Sequence, residues 1–376
     1  MKTIYLDSAA TTMVDSKVVR VMEPYLTEKY GNASSLHHKG QEAKMALDES
    51  REIIAKSIGA RFDEIIFTSG GTEANNLALK GSAFIAGKGH VIVTKIEHDC
   101  VLNTAKFLEA HGFDVDYINV DEKGYVDLKE LENKIRKETI IVSVIHGNNE
   151  TGTVQDLEAI GKICKKNNIL FHTDACQSYT KIPLNVNKMN LDLVTLNAHK
   201  IHGPKGVGAL YVRKGTKLAY LAHGGGQEFG IRSGTENISG IVGFSMAVKL
   251  AKSKHVKYMN KLKNKLIDGV LKIPNVKLNG GGLPNIANFS FKYIEGEAIG
   301  AYLDVKGICT STGSACSSTK VEASHVLKAM GLTDEEAHGS LRVSLSRFNT
   351  EEEIDYFLEV LPSIVEKLRK ISGGKK

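Results

Sequence analysis

At 376 residues with 42% hydrophobic side chains, the chain is long enough to bury one large core and a smaller second one. Its formal charge of +6 rests on 49 basic residues, few of them arginine, and the lysines are dispersed along the chain, which argues against a nucleic-acid surface. No run of about 18 apolar residues appears, and the stretch from Met1 to Asp7 lacks the basic and apolar regions of a signal peptide. No membrane span is therefore expected, and a cytoplasmic location is. The cysteines Cys100, Cys164, Cys176, Cys309 and Cys316 form no C-x-x-C pair. That pattern argues against a disulfide framework and a zinc ribbon, expects no resident metal, and leaves a working thiol open.

In chain order, short β-branched runs alternate with helical patterns. Strands are predicted at Glu64 to Phe67, Val91 to Thr94, Ile140 to Ile145, Ile169 to Phe171, Asp192 to Leu196 and Ala209 to Val212. Such alternation specifies an α/β fold with a mostly parallel sheet covered by helices. Leu250, Tyr258, Leu262, Leu266 and Val270 recur at helical spacing, which predicts one long helix from Ala247 to Ile273 leading out of that unit. Beyond it, a strand at Asn288 to Phe291, a helix at Glu297 to Leu303 and terminal helices from Thr350 to Lys370 suggest a small α+β domain, onto which the first ~15 residues return. The expected division is 16–255 for the large domain and 1–15 with 256–376 for the small one.

Several motifs carry chemistry. Ser69-Gly70-Gly71-Thr72 follows a strand and opens a helix, where free backbone N–H groups and the helix dipole favour an anion, although an ordinary strand-to-helix turn reads the same way. It lacks the Walker lysine and the G-x-G-x-x-G spacing, so ATP and NAD fit poorly. His172-Thr173-Asp174-Ala175-Cys176-Gln177 puts Asp174 at the carboxyl rim of the sheet, as a carboxylate for a ring nitrogen or as a helix N-cap. Lys200 lies just past a buried strand in the glycine-rich run to Gly208, and desolvation there frees an amine for a Schiff base. Residues 311–319, Ser-Thr-Gly-Ser-Ala-Cys-Ser-Ser-Thr, are small and aperiodic, so a mobile loop carrying Cys316 is expected.

These residues resemble the class V, fold-type-I pyridoxal-phosphate (PLP) family, and within it the NifS/IscS-like cysteine desulfurases. The resemblance runs from Tyr5-Leu6-Asp7-Ser8-Ala9-Ala10-Thr11-Thr12 to Ser340-Leu341-Arg342-Val343-Ser344-Leu345-Ser346-Arg347-Phe348, with the motifs in the family's order. It implies a seven-stranded sheet in the large domain. It also implies that Lys200 holds PLP as a Schiff base, that Asp174 pairs with the pyridine nitrogen, that Gln177 bonds the ring hydroxyl, and that His98 stacks on the ring and assists proton transfer. Gly71, Thr72 and His199 would hold the phosphate, with Thr235 reaching in from the partner subunit of a homodimer. Asn197 stands where many members have serine, an amide in place of a hydroxyl donor. Asn149 and Arg342 would hold the substrate carboxylate. On the residues alone, His98 reads equally as a half-buried histidine, Asn149 as a turn residue, and Arg342 as one member of a buried ion pair.

The same resemblance makes Cys316 the persulfide carrier that takes sulphur from L-cysteine and releases L-alanine, for iron-sulphur cluster assembly and other acceptors. Expected partners are a cluster scaffold or sulphur-carrier protein, and Cys316 is also a candidate for transient ligation of a cluster. A selenocysteine lyase or a class V aminotransferase would use the same lysine and aspartate. The aminotransferase has no need of the cysteine loop.

Overall fold

The computed structural model describes residues 3–313 and 323–373. Its strands are β1 (Ile4–Tyr5), β2 (Ile65–Thr68), β3 (His90–Thr94), β4 (Asp114–Ile118), β5 (Thr139–Ser143), β6 (Leu170–Asp174), β7 (Leu193–Asn197), β8 (Gly208–Val212), β9 (Val276–Asn279), β10 (Ile286–Phe291), β11 (Ile308–Cys309) and β12 (Ser340–Ser344). The large sheet has seven strands in the order β2-β8-β7-β6-β5-β3-β4. From β7 to β4 every neighbour pairs parallel, and β8 runs antiparallel to both β7 and β2. The central strands are buried along their whole length, because helices cover both faces and leave no polar side for alternation.

The seventh strand, β4, is one the periodicity does not announce. Its Asp-Val-Asp-Tyr-Ile run lies at the sheet edge with its first residue exposed and its middle half-buried, so it never had to read as apolar. The six anticipated strands form, with ends shifted by one to three residues, most at β6, which runs on from Phe171 to Asp174.

The hydrophobic residues gather on the two faces of this sheet, around Ile54, Phe171 and Phe244 on one and Leu79, Val91 and Leu210 on the other. A further cluster holds Leu6, Leu262, Phe289, Leu341 and Phe357 around the antiparallel sheet β12-β10-β9. The helix expected from Ala247 to Ile273 is two helices, Ile238–Leu250 and Ser253–Val270, broken by extended backbone at Ala251 and Lys252. Ile241, Phe244 and Ala247 face the large-sheet core, whereas Leu262, Leu266 and Val270 face the other cluster, and one straight helix cannot bury both sets. The chain closes with a single helix, Glu351–Ile371, rather than several. Thr350 caps it by accepting from the Glu353 N–H, and Pro362 lies within it.

The N-terminal strand β1 pairs parallel with β11, and Asp7 bridges to Ser344. Among the described residues no helix is long and apolar enough to cross a membrane, and no cluster of His, Cys, Asp and Glu could hold a metal ion.

Candidate active site

The parallel strands deliver their carboxyl ends to one rim. There, the helix Gly71–Ala86 begins at Gly70 with no side-chain cap, so the amides of its first turn are left for an outside acceptor. Gly71 must be glycine for steric reasons, since a Cβ there would lie 2.7 Å from Cys176 Sγ. The turn is braced by Glu73, which accepts from the Ser69 N–H at 2.7 Å and from Arg232 Nε at 2.7 Å. Asn197, at the end of β7, sits beside this turn, its Nδ2 3.8 Å from the Cβ position of Gly71. That amide donates to His199 Nε2 at 3.3 Å, which leaves His199 Nδ1–H to donate to Thr11 Oγ1 at 3.2 Å. Burial, and then the charges of Lys200, Lys205 and Lys181, push His199 down to about 4, so its ring is neutral.

Asp174 ends β6 and is 5% exposed. Burial pushes its carboxyl up, but the Cys176 N–H, the His98 ring and the Asn75 amide outweigh it and hold the group below the usual carboxylate range. The bonds are Cys176 N to Oδ1 at 2.8 Å and Asn75 Nδ2 to Oδ2 at 2.7 Å. A buried carboxylate kept ionised in this way suits a cationic N–H. Gln177 donates Nε2 to the Ala9 carbonyl at 2.8 Å, while its Oε1 is buried without a partner.

His98 caps the helix Asp99–Ala110: its Nδ1 accepts the Cys100 N–H at 3.1 Å, which fixes the neutral tautomer with the proton on Nε2. Burial lowers its pKa, Asp174 opposes that shift, and Lys200 adds to it, so all three groups share one field. Lys200 itself is half-buried on a loop sewn to the N-terminal segment. Thr12 donates both its N–H (3.0 Å) and its hydroxyl (2.7 Å) to the His199 carbonyl. The Lys200 carbonyl accepts Lys181 Nζ at 3.3 Å, and Lys181, lowered to about 7 by burial and by Lys200, also donates to the Gln177 carbonyl at 2.8 Å.

Arg342 on β12 and Asn149, in the turn after β5, meet. Arg342 Nη1 donates to the Asn149 carbonyl at 2.9 Å and Nη2 to Asp7 Oδ1 at 2.9 Å, while its Nε is buried without a partner. The anionic partner of this guanidinium within the chain is thus Asp7. The Asn149 side-chain amide makes no hydrogen bond among the described residues. Thr235 is exposed, in a loop tied to the Gly71 turn through Arg232 and Glu73. Cys316 lies outside the described residues. Asn75, Lys181 and Asp7 belong to the site without having been singled out. Only Asn75 had a readable signal, one turn along the same helix from Gly71.

An uncapped helix N-terminus, an ionised buried carboxylate, a buried acceptor oxygen without a partner (Gln177 Oε1) that can take a ring hydroxyl, and a half-buried amine fit a phosphorylated pyridine aldehyde. The aminotransferase class-V family model matches residues 4–357. The chain is 50% identical over 382 residues to a cysteine desulfurase IscS of Dictyoglomus turgidum, covering 99% of this chain and 97% of that protein. It is 49% identical to a cysteine desulfurase IscS of Methanosarcina thermophila, over 99% of this chain and 94% of the relative. Among solved structures, a NifS-like protein superposes with a TM-score of 0.92 at 41% identity, covering 97% of this chain and 100% of that one. SspA in complex with cysteine superposes with a TM-score of 0.85 at 38% identity, covering 93% and 100%.

Proposed function

We infer the reaction from the premise that the chain belongs to the class V aminotransferase family: it is a PLP-dependent cysteine desulfurase that converts L-cysteine to L-alanine and keeps the sulphur as a persulfide on Cys316. The observation that carries this reading is the buried, ionised Asp174, which shares one electrostatic field with His98 and Lys200 beside an uncapped helix N-terminus.

In this assignment residues 16–255 bind the cofactor and 1–15 with 256–376 carry Cys316. The first-turn amides at Gly71 and Thr72, with Asn197 and His199, hold the phosphate. A neutral His199 does so by taking the tautomer with its proton on Nε2, Nδ1 then accepting from the Thr11 hydroxyl, and not as a cation. Asp174 would hold the ring nitrogen protonated, Gln177 would accept from the ring hydroxyl, and Lys200 would supply the amine for the carbonyl. When bound, the cofactor supplies a carbonyl for the substrate amine and a ring that accepts electrons from the substrate α-carbon.

The protein's own groups do the rest. Arg342 and Asn149 orient the substrate carboxylate, Arg342 giving a planar fork that a lysine cannot copy. The free Lys200 amine would take the α-proton, and His98, with its proton on Nε2, would assist proton transfer. The Cys316 thiolate attacks the substrate sulphur. The carbon–sulphur bond breaks with its electron pair going to the substrate carbon, which is protonated to give alanine, so cysteine plus thiol become alanine plus persulfide with no outside oxidant. Thr235, exposed and distant in sequence from the other phosphate groups, serves the phosphate site of a second copy in a homodimer. The persulfide then passes to a cluster scaffold or a sulphur-carrier protein.

The test is Cys316→Ser. The variant should keep the cofactor and its absorbance change on adding cysteine, yet release no alanine in multiple turnover, and mass spectrometry should find one added sulphur atom on wild-type Cys316 and on no other cysteine. Near wild-type turnover in the serine variant would overturn the persulfide mechanism.

A further inference from the structure

The turn from Asn148 to Gly152 is fixed from within. Asn148 Oδ1 accepts the N–H groups of Glu150 and Thr151, each at 2.9 Å, and its Nδ2 donates to the Ile96 carbonyl at 2.9 Å. Gly152 closes the turn at φ +75°. Glu150 itself is 3% exposed, and the reaction as derived above gives this buried carboxyl no task. Its surroundings give it one. Ser324 donates its hydroxyl to Glu150 Oε2 while accepting the Leu327 N–H at 3.2 Å, so the same oxygen caps the next helix. Gly313 packs on the other side of the carboxyl, so closely that a Cβ there would fall 2.2 Å from Oε2 and 2.7 Å from Cδ. Gly313 precedes the stretch that contains Cys316, and Ser324 follows it one residue past Ala323.

We propose that Glu150 is a positioning residue for sulphur transfer, its carboxyl tying both ends of the Cys316-bearing stretch to the turn that presents Asn149. The proposal rests on the reading of Cys316 as the sulphur acceptor. Cys316 follows Gly313 by three residues, a chain length of at most about 11 Å, so where Gly313 is held bounds where the thiol can go. Holding both ends near each other also raises the local concentration of the thiol at the site. Burial pushes the Glu150 carboxyl above the usual carboxylate range; the Ser324 hydroxyl, His325 from the following helix and Arg342 from β12 pull the other way, and Asp99 from the helix Asp99–Ala110 adds to the rise. Because Asn148 and not Glu150 locks the turn, trimming the Glu150 side chain leaves Asn149 in place.

The experiment compares the PLP-loaded wild type with Glu150→Ala, Glu150→Gln, Ser324→Ala and Gly313→Ala. Three readouts are taken: single-turnover persulfide formation on Cys316, KM for cysteine, and the rate at which iodoacetamide labels Cys316, resolved by mass spectrometry. Glu150→Ala and Gly313→Ala should slow persulfide formation roughly tenfold or more and change the labelling rate, with KM within twofold of wild type. Glu150→Gln, which keeps the shape and an acceptor for Ser324, should recover most of the rate. Persulfide formation within twofold of wild type in Glu150→Ala overturns the proposal, as does a loss that raises KM in the same proportion, which is what a disturbed substrate site at Asn149 and Arg342 would do. Should Glu150→Ala fail to fold, Ser324→Ala and Gly313→Ala probe the same contacts from the other side, with the same criteria. A wild type that gains no sulphur on Cys316 is a failure of the desulfurase reading instead, and the labelling rates then still read the placement of the thiol.

Discussion

Gly71→Ala tests the packing beneath the phosphate turn. The added methyl would lie 2.7 Å from Cys176 Sγ, whereas ordinary contacts begin near 3.4 Å, and its other neighbours, Thr195 Cγ2 at 3.7 Å and Asn197 Nδ2 at 3.8 Å, leave normal room. The clash is with one atom, and that atom is buried next to Asp174, whose Oδ1 the Cys176 N–H holds. Overpacking of this kind costs about 1–3 kcal/mol. Replacing glycine by alanine at a backbone geometry open to both stabilises by about 0.4–1 kcal/mol through the unfolded chain. The net expectation is a loss of roughly 1–2 kcal/mol, measured as a lower urea midpoint at unchanged slope, with weaker PLP binding because Asp174 is displaced. Cys176→Ala removes the obstructing sulphur and by itself loses about 1 kcal/mol of packing. In that background Gly71→Ala should reverse sign and stabilise, a coupling of about 2 kcal/mol. If Gly71→Ala has the same effect in both backgrounds, Cys176 is not what requires glycine at position 71.

Lys200→Ala should abolish the covalent link that borohydride fixes between protein and PLP, read as loss of the cofactor mass from the peptide containing residue 200; a link fixed in the variant would remove Lys200 from its role. Arg342→Lys should raise KM for cysteine about tenfold or more with a smaller change in kcat, since a point charge replaces a planar fork already braced by Asp7 and the Asn149 carbonyl. An unchanged KM would place the substrate carboxylate elsewhere. Burial alone holds His146 down to about 4, so the unfolded chain takes up the proton first: the stabilisation is complete above about pH 6.5 and is lost as the pH falls towards 4. From pH 7.5 to 5 this one ring should contribute about 2 kcal/mol of lost stability, and His146→Leu should flatten the slope of urea midpoint against pH by that amount. An unaltered slope would mean that the ring is solvated.

The parts of this molecule that sequence discloses are those where local chemistry and tertiary role agree. Val91–Val93 and, apart from Thr195, Leu193–Leu196 are apolar because both faces of their strands are covered, so they read as buried strands. β4 does not, because an edge is free to alternate with Asp114 and Asp116. The break at Ala251 and Lys252 carries neither proline nor glycine. It follows from which core each half-helix faces, a long-range fact that spacing cannot hold. The same distinction applies at the site. Lys200, Asp174 and Gly71 stand in motifs whose flanking residues betray a turn or a rim. Glu150 is the neighbour of Asn149 in the turn after β5, yet its partners Ser324 and Gly313 are more than a hundred residues away. Arg342 was expected to have an anion nearby, but only the fold could name Asp7, from the opposite end of the chain.

The N-terminal segment acts mechanically as a strap across the two lobes. Residues Ile4 to Leu6 are stitched into the smaller core, and Asp7 grips Arg342 there. A few residues on, Thr12 and Asp15 are fastened to the other lobe, Thr12 to the His199 carbonyl and the His202 N–H, and Asp15 to the His202 carbonyl. Tension between the lobes therefore has a covalent line only five residues long, from Asp7 to Thr12, and it terminates on the backbone either side of Lys200. An anion that competes with Asp7 for Arg342 acts at one end of a cord whose other end is tied to the loop that carries Lys200.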